Sequence, residues 1–439
     1  MHIDSPAATG RSGKQRTGPW VFWGALTGII LIALNLRGPV VAPSPILGLL
    51  QVELDMSVGT AGLLTSLPIA CFGVVSFVAL PLLRRSGPDQ AIAVCLAGIA
   101  AGTVLRSSGG AELALAGTVV IGASIAVGNV LVPVVIRRDF PPARVPLVTG
   151  VYTAAMNIGS MTTLIITAPL AEAFGWRTAL VLWSALALVA ALAWLTLVGW
   201  RAFLLGSDKA KGNAAHGTGL EPEAAPRPGG VPAVPAAPAA DRAGWRMPAA
   251  WILLIAFSGQ AFAFYAVSTW LPTLLSDVAG LDATAAGAGA SLFQGPGIAG
   301  ALAVPLLSRR LRSRTLLWLT CAAWAALPLG LLLAPSGWAV WVTVGGVAQG
   351  AGITVIFLIL VRLGGSTRQA GQVSALVQGG GYLVAAAGPV ILGSLNTLTG
   401  SWVLPLVAVG FSIAALLVAG TLAAVDSDAA GRSQRRVQG

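Results

Sequence analysis

The stretch WVLPLVAVGFSIAALLVAGTLAA, residues 402–424, contains no charged side chain. As a helix, a run of this length is about 35 Å long, enough to cross the roughly 30 Å hydrocarbon layer of a membrane. Comparable apolar runs recur along the chain, at residues 21–36, 91–105, 179–200, 316–335 and 338–361. The sequence therefore predicts a polytopic helical membrane protein.

The composition of the whole chain supports this prediction. Only 9% of the 439 residues are charged and 56% are apolar, whereas soluble domains carry about a quarter charged residues. An ordinary soluble enzyme and a disordered chain are both excluded. We predict twelve transmembrane segments, spans 1 to 12, centred near Ala33, Cys71, Gly98, Ser124, Ser160, Leu188, Ala261, Gly297, Ala325, Gly350, Leu383 and Val409.

The basic residues between the spans predict the orientation. The chain has 26 Lys and Arg against 15 Asp and Glu, a net charge of +11. With the N-terminus inside, 23 of the 26 basic residues lie on that side, Arg106 and Arg177 lie outside, and Arg37 lies within span 1. Basic loops stay in the cytoplasm, so we expect a multi-pass plasma (inner) membrane protein with both termini cytoplasmic. The positive charge then requires no nucleic-acid partner.

Composition also divides the chain into segments. Residues 1–18 are polar and are predicted to be a disordered cytoplasmic tail, and residues 425–439 a second cytoplasmic tail. Residues 201–245 contain a Pro/Ala repeat that cannot bury a core and favours extended chain. We interpret them as a cytoplasmic linker between two six-helix bundles, residues 19–200 and 246–424.

The two bundles repeat each other. Several positions recur at a constant offset of 227 in the numbering: Pro45, Leu54, Asp55, Ser57 and Gly62 match Pro272, Leu281, Asp282, Thr284 and Gly289. Ser57 and Thr284 are candidate N-caps of spans 2 and 8. Because six spans per half keep the repeat parallel, we predict an all-α integral membrane protein of the major facilitator fold, with a substrate site between two parallel six-helix pseudo-repeats.

The residues that catalysis or metal binding would require are missing from the predicted spans. No acidic residue lies deep in an apolar segment, and His2 and His216 lie in polar tails or loops. Cys71, Cys95 and Cys321 show no metal-ligand spacing and are interpreted as apolar packing residues. We expect no cofactor, no metal and no enzymatic activity, since an intramembrane nucleophile would have no base beside it.

Deep amides indicate which spans face the centre. An unsatisfied polar group in lipid costs several kcal/mol, so these side chains must contact protein, water or ligand. Spans 3, 6, 9 and 12 have no deep amide or charge and are predicted to be outer supports. Each amide either makes an interhelical hydrogen bond or contacts substrate; the set is Asn35, Asn129, Asn157, Gln260, Gln294, Gln349 and Gln378.

Arg37 is the only charged residue between Trp20 and Leu50. Two interpretations are open: Arg37 marks a substrate path, or span 1 ends near residue 36 and the side chain reaches lipid headgroups. The offset between the repeats places Arg37 opposite Phe264, beside Tyr265. A guanidinium facing aromatic rings suits a small anion or a flat, polarised heterocycle. Gln260 lies one helical turn before Phe264, so we expect it to face the same space.

Glycine is concentrated in two spans of the second half. Gly345, Gly346, Gly350 and Gly352 crowd span 10, and residues 379–381 are three glycines predicted to interrupt span 11, followed by Gly388-Pro389. Small residues allow close helix packing, and Gly-Pro points permit bending during gating; both interpretations are open.

The residues together resemble a known family. The motifs are Asn35-Leu-Arg37, GTAGLLTSLP at 59–68, GNVLVP at 128–133, RRDF at 137–140, Gln260 with Phe264-Tyr265 and Trp270-Leu-Pro272, SLFQ at 291–294, Gly381-Tyr382 with Gly388-Pro389, and LTGSW at 398–402. This set resembles the cyanate permease / 2-nitroimidazole transporter branch of the major facilitator superfamily.

The resemblance implies a secondary active or facilitative transporter of a small solute, cyanate- or nitroimidazole-like, that works by alternating access. It implies pocket roles for Asn35, Arg37, Gln260, Tyr265 and Gln294. With the other amides and the neighbouring rings, the full candidate set is Asn35, Arg37, Asn129, Asn157, Gln260, Phe264, Tyr265, Gln294, Gln349, Gln378 and Tyr382.

Several features of function remain open at this stage. Multidrug efflux by the same fold is the alternative, although the Gly-Pro signature of drug–proton antiporters belongs in span 5 and here lies in span 11. The loop RRSGPD at 84–89 is a reduced form of the superfamily signature between spans 2 and 3. We expect a monomer, and any protons to move with the substrate itself.

Overall fold

Twelve helical spans, each long and apolar enough to cross a membrane, make up the protein in a computed structural model that describes residues 19–86, 88–198, 246–363 and 367–438. The prediction of twelve spans is confirmed. The predicted tail at 1–18 and the predicted linker at 201–245 lie outside the described residues.

The first half contains spans 1 to 6. Span 1 consists of the helices Pro19–Asn35, Gly38–Val41 and Leu47–Glu53, with a 3₁₀ turn at Ser44–Ile46. Spans 2 to 6 are the single helices Val58–Ser86, Pro88–Ser107, Ala111–Asp139, Val145–Phe174 and Trp176–Val198.

The second half contains spans 7 to 12. Spans 7, 9, 10 and 12 are the helices Pro248–Ala279, Ser313–Leu333, Trp338–Leu363 and Val403–Gln438. Span 8 consists of Ala283–Gln294 and Pro296–Leu307, and span 11 of Thr367–Ala385 and Ala387–Thr399. The last helix passes residue 424 and continues through most of the segment predicted as the second tail.

Two residues cap the start of spans 2 and 8. Ser57 Oγ accepts the backbone N–H of Thr60 at 3.1 Å, as its position predicts. In the second half the cap is Asp282, whose Oδ1 accepts the N–H of Ala285 at 2.7 Å. The prediction for Thr284 is therefore wrong, because the residue two positions earlier already satisfies the helix terminus.

The glycines of spans 10 and 11 serve close packing. Residues 379–381, predicted to interrupt span 11, are helical, and a Cβ on Gly381 would meet the ring of Phe257. In span 10, a Cβ on Gly350 would strike the backbone of Gly297 in span 8. The break of span 11 comes at Ala386, three residues before Pro389, which lacks the N–H that a continuous helix needs.

The two halves pack together through spans 2 and 11 and through spans 5 and 8, whereas spans 3, 6, 9 and 12 pack mainly within their own half. Thr65 and Thr269 join their hydroxyl oxygens across the halves at 2.9 Å. Within the second half, Trp270 Nε1 donates to the carbonyl of Pro389 at 2.7 Å. These contacts lie in the part of the bundle nearest the connections between spans 1 and 2 and between spans 7 and 8.

Two hydrophobic cores meet near the middle of the molecule. One core gathers buried side chains of the first half, such as Ile32, Leu96 and Ile125. The other is mostly in the second half, with Phe257, Trp270 and others. The rings of Tyr265 and Tyr382, both only half-buried, pack against both cores and so mark the boundary between them.

Candidate functional site

Span 1 breaks at Arg37. The first helix ends at Asn35, and Arg37 precedes the short helix Gly38–Val41 with φ −132° and ψ −36°. Pro39 explains the break, because proline has no N–H to donate to the carbonyl four residues earlier, that of Asn35. The backbone restarts when the N–H of Val40 donates to the carbonyl of Arg37 at 3.1 Å.

The side chain of Arg37 points into the protein. Its Nη1 donates to Asn157 Oδ1 at 2.7 Å, and its guanidinium carbon lies 5.0 Å from the ring centroid of Phe264. Asn157 is held in this orientation because its Nδ2 donates to the carbonyl of Thr153 at 3.1 Å. The first helix of span 1 does end near residue 36. Arg37 does not reach the lipid headgroups, however, because its partners Asn157 and Phe264 lie in spans 5 and 7.

The three tyrosines of the chain, Tyr152, Tyr265 and Tyr382, lie in the same region as this cation. The rings of Tyr265 and Tyr382 are 6.3 Å apart, centroid to centroid. The Tyr152 hydroxyl donates to Asn129 Oδ1 at 3.4 Å, a long hydrogen bond. The region around Arg37 thus includes tyrosine side chains from both halves.

Further rings hold these aromatic groups in place. Tyr382 packs edge-on against Phe72, at 5.8 Å, and Phe257, at 5.2 Å. Phe264 stacks on Phe293, with the planes 22° apart. Edge-to-face and offset contacts of this kind are favourable. The side chains clustered around Arg37, called the crevice below, therefore include a preformed aromatic wall.

Gln260 supports the wall from behind. Its Oε1 accepts the indole N–H of Trp324 at 3.0 Å, and its Nε2 donates to the carbonyl of Gln349 at 2.9 Å. Trp324 in turn packs against Phe293 at 5.6 Å. Both ends of the amide are thus engaged in joining spans 7, 9 and 10, and the structure does not bring Gln260 to Arg37 as the sequence predicted.

Three more predicted residues serve helix packing. Asn35 Nδ2 donates to the carbonyls of Leu31, at 2.9 Å, and Leu186, at 3.3 Å, which ties span 1 to span 6. Gln349 Nε2 donates to the carbonyl of Phe293 at 3.4 Å. Gln294 is fully buried, and its Nε2 reaches the hydroxyl of Ser268 at 3.3 Å.

Gln378 completes the predicted set. It is half-buried one turn before Tyr382, and its Nε2 donates to Ser374 Oγ at 2.7 Å. The predicted residues therefore fall into two groups. Asn35, Gln260, Gln294 and Gln349 take part in the packing of the helices. The residues that come together at the crevice are Arg37, Asn129, Asn157, Phe264, Tyr265 and Tyr382.

Sequence reasoning missed Tyr152, Phe72 and Trp324. Tyrosine is rare in this chain, with three residues in all, and that rarity was the signal that would have found Tyr152, five residues before Asn157. Phe72 and Trp324 resemble any other aromatic residue of an apolar run. Among the described residues, no three His, Cys, Asp or Glu side chains come together in a group that could hold a metal ion.

Arg106 lies in the last turn of span 3, at the end that the sequence predicts to face the outside. Its side chain is buried within the protein, with 1% exposed. Among the side chains that the structure describes, it is the one charged residue that is fully buried.

Two six-span helical halves that meet at a half-buried cation define a class: a polytopic membrane protein with a polar, aromatic crevice between its repeats. The model of the Major Facilitator Superfamily matches residues 25–389, and the chain belongs to this superfamily of transporters.

Relatives extend over nearly the whole chain. The uncharacterised transporter YycB of Bacillus subtilis (strain 168) is 31% identical over 91% of this chain and 92% of its own length. The 2-nitroimidazole transporter of Escherichia coli (strain K12) is 30% identical over 94% and 96%. The cyanate transport protein CynX of the same strain is 25% identical over 86% and 91%.

A solved structure supports the fold. The crystal structure of the nucleoside transporter NupG aligns with 91% of this chain and 99% of its own, with a TM-score of 0.68 at 12% sequence identity. At this identity the likeness concerns the architecture alone, and it agrees with the predicted all-helical major facilitator fold.

Proposed function

We propose that the protein is a secondary active or facilitative transporter that moves a small anion or a small polar heterocycle across the plasma membrane. The observation that carries the proposal is Arg37, a cation held between the two halves by Asn157 and the face of Phe264. A charge on the path through a membrane protein usually serves an ion or substrate.

The geometry around Arg37 favours a planar acceptor. A guanidinium has five N–H donors, and the hydrogen bond to Asn157 uses one of them. Phe264 lies against a face of the group, and we propose that the ligand binds at the remaining edge. A planar nitro or carboxylate group, or one end of the linear cyanate ion, can accept hydrogen bonds at such an edge, while Tyr265 and Tyr382 offer ring faces to an attached heterocycle.

The relatives support the substrate class. Two of them are named for 2-nitroimidazole and for cyanate, respectively. Both compounds are small, and both present a polarised or anionic group to a cation. Because a transporter must also release its substrate, we expect micromolar to millimolar affinity, about −8 to −4 kcal/mol.

Alternating access by a rocker-switch motion is the proposed mechanism. Contacts such as that between Thr65 and Thr269 close the bundle on the side of the connection between spans 1 and 2. The positive-inside rule makes that side extracellular and both termini cytoplasmic, so we assign the structure to a state closed toward the outside. Rocking of the halves would break these contacts and expose Arg37 to the outside. We further propose that the protein works as a monomer.

Ligand-induced thermal stabilisation of the purified protein tests the substrate class. A ligand that binds the folded state raises the melting temperature. We expect 2-nitroimidazole and cyanate to do so, and the Arg37→Ala variant to lose the effect at a similar yield of folded protein. Uptake of the same compounds into proteoliposomes then tests transport.

Multidrug efflux remains the competing function. It requires a pocket that accepts cationic dyes, and a guanidinium repels cations. If ethidium or a similar dye stabilises the protein and neither cyanate nor 2-nitroimidazole does, multidrug efflux is the better assignment.

A further inference from the structure

A second arginine supports the break in span 1. Arg106 lies in the last turn of the helix Pro88–Ser107, and its Nη1 donates to the carbonyl of Pro39 at 2.7 Å. Pro39 is two residues from Arg37, within the short helix Gly38–Val41 that follows the break. The buried guanidinium of span 3 thus holds the backbone segment that carries the cation of the crevice.

The backbone of Arg106 is itself fixed. Span 3 packs so closely on span 4 that a Cβ on Gly117 would strike the backbone N of Arg106 and the carbonyl of Gly102. A Cβ on Gly102 would lie 2.9 Å from the carbonyl of Gly117. Arg106 therefore reaches Pro39 from a closely packed pair of helices.

Helix packing alone does not account for a charge at this place. Within the described part of the chain, Nε and Nη2 of Arg106 have no hydrogen-bond partner, and the side chain is 1% exposed. Burying a guanidinium against one neutral acceptor is unfavourable compared with burying an apolar side chain of similar size. The one side-chain hydrogen bond of Arg106 within the described part of the chain goes to the carbonyl of Pro39, at the break in span 1.

We propose that Arg106 is a positioning residue for substrate binding. It fixes the carbonyl of Pro39, and thereby the short helix Gly38–Val41 and the direction from which Arg37 enters the crevice. The inference rests on the proposed function, because it takes Arg37 as the group that binds substrate. Arg106 itself is not placed in contact with substrate.

Hydrogen–deuterium exchange of the purified full-length chain tests the positioning without any ligand. The N–H groups of Val40, Val41 and Ala42 donate to carbonyls of Arg37 and Gly38. In Arg106→Met, which cannot donate, we expect these amides to exchange about tenfold faster, the change that corresponds to roughly 1.4 kcal/mol of lost protection. Arg106→Gln is too short to reach the carbonyl and gives the same test if the methionine variant does not fold.

Arg177 provides a matched control. It lies near the same end of the bundle and donates through Nη1 to the carbonyls of Ser107 and Gly109, both at 3.0 Å, but its side chain is exposed. We expect Arg177→Met to leave the exchange of residues 40–42 unchanged. Equal exchange in the wild type and in both Arg106 variants would overturn the proposal.

Binding of 2-nitroimidazole and cyanate separates positioning from simple support. We expect Arg106→Gln to weaken the affinity of the folded protein about tenfold, as expected for loss of one well-placed charged hydrogen bond. In Arg106→Lys the ammonium group can still donate to the carbonyl of Pro39, so we expect most of the affinity to be retained. Faster exchange with unchanged affinity would show a purely structural role and overturn the inference. If the wild type binds neither probe, the proposed function fails, while the exchange result still decides whether Arg106 holds the break.

Discussion

Arg37 and Phe264 occupy equivalent positions of the two repeats, related by the same offset as Pro45 and Pro272, and their side chains touch, with the guanidinium carbon 5.0 Å from the ring centroid. Two equivalent positions can meet only near the axis that relates the repeats. The pair therefore lies at the interface of the two halves, near that axis. One repeat supplies a cation and the other a ring, so the centre is chemically asymmetric.

Arg37 should be irreplaceable by lysine. An ammonium keeps the charge but loses the planar fork that can bond Asn157 and a ligand together. We expect Arg37→Lys and Arg37→Ala both to lose ligand-induced stabilisation, with an affinity at least about tenfold weaker, since hydrogen bonds to charged groups contribute about 1.5–3 kcal/mol. Arg177→Lys, which changes an exposed arginine away from the crevice, is the control. Normal transport by Arg37→Ala would remove this residue from the site.

Replacing Asn157 by aspartate should abolish binding of an anion. In Asn157→Asp a carboxylate would stand 2.7 Å from Nη1 in place of the amide oxygen. The carboxylate would neutralise Arg37 and compete with an anionic substrate. We expect cyanate binding to disappear and the melting temperature without ligand to stay level or rise, because the buried cation gains a charged partner. Cyanate binding at the wild-type affinity would show that Arg37 does not receive the anion.

The architecture could be predicted from the sequence, and its physical basis is simple. Apolar runs of about 20 residues have few alternatives to crossing the membrane, and a constant offset between the halves relates loop positions such as Asp55 and Asp282. The contact of Arg37 with Phe264 followed from the same offset. These features depend on length, period and symmetry, which a sequence records directly.

The roles of the buried amides could not be predicted in the same way. Gln260 and Asn157 are both single amides in apolar helices, yet one bonds Trp324 and the other bonds Arg37. The difference is the rotation of each helix about its own axis, which the weak amphipathic pattern of these spans does not determine. The burial of Arg106 could not be predicted for a related reason: a helix end can be covered by neighbouring helices, and only tertiary packing decides whether it is.

Trp324 should affect stability and leave the substrate affinity of the folded protein unchanged. Trp324→Phe removes the donor to Gln260 Oε1, and a buried acceptor without its partner costs about 1–3 kcal/mol. We expect a lower melting temperature. Trp318→Phe is a matched control in the same span, since its indole N–H bonds Thr421 at 3.0 Å but its side chain is 50% exposed. Equal melting temperatures of the two variants would contradict the role assigned to Gln260.

Any protons that cross the membrane should move with the substrate and not through a relay of carboxylates. Asp55, Asp139 and Asp282 lie at the ends of spans, where Asp282 caps a helix and Asp139 pairs with Arg138 at 2.6 Å. We expect substrate-driven proton flux in proteoliposomes to be similar in the three Asp→Asn variants and the wild type. Asn is also a good N-cap, so Asp282→Asn should remain folded. A flux that is present in the wild type and lost in any folded variant would instead identify a carboxylate relay.

Thr65 and Thr269 should report the motion of the halves. Their hydroxyl oxygens are 2.9 Å apart across the interface, so Cys at both positions should cross-link under mild oxidation when the outward side is closed. We expect the double variant to lose transport on oxidation and recover it on reduction, whereas each single variant keeps transport under both conditions. Cys71, Cys95 and Cys321 would be replaced by Ser or Ala beforehand, because all three are free thiols. If the cross-linked protein transports at the normal rate, the halves need not separate at this contact, and the rocker-switch mechanism would be excluded.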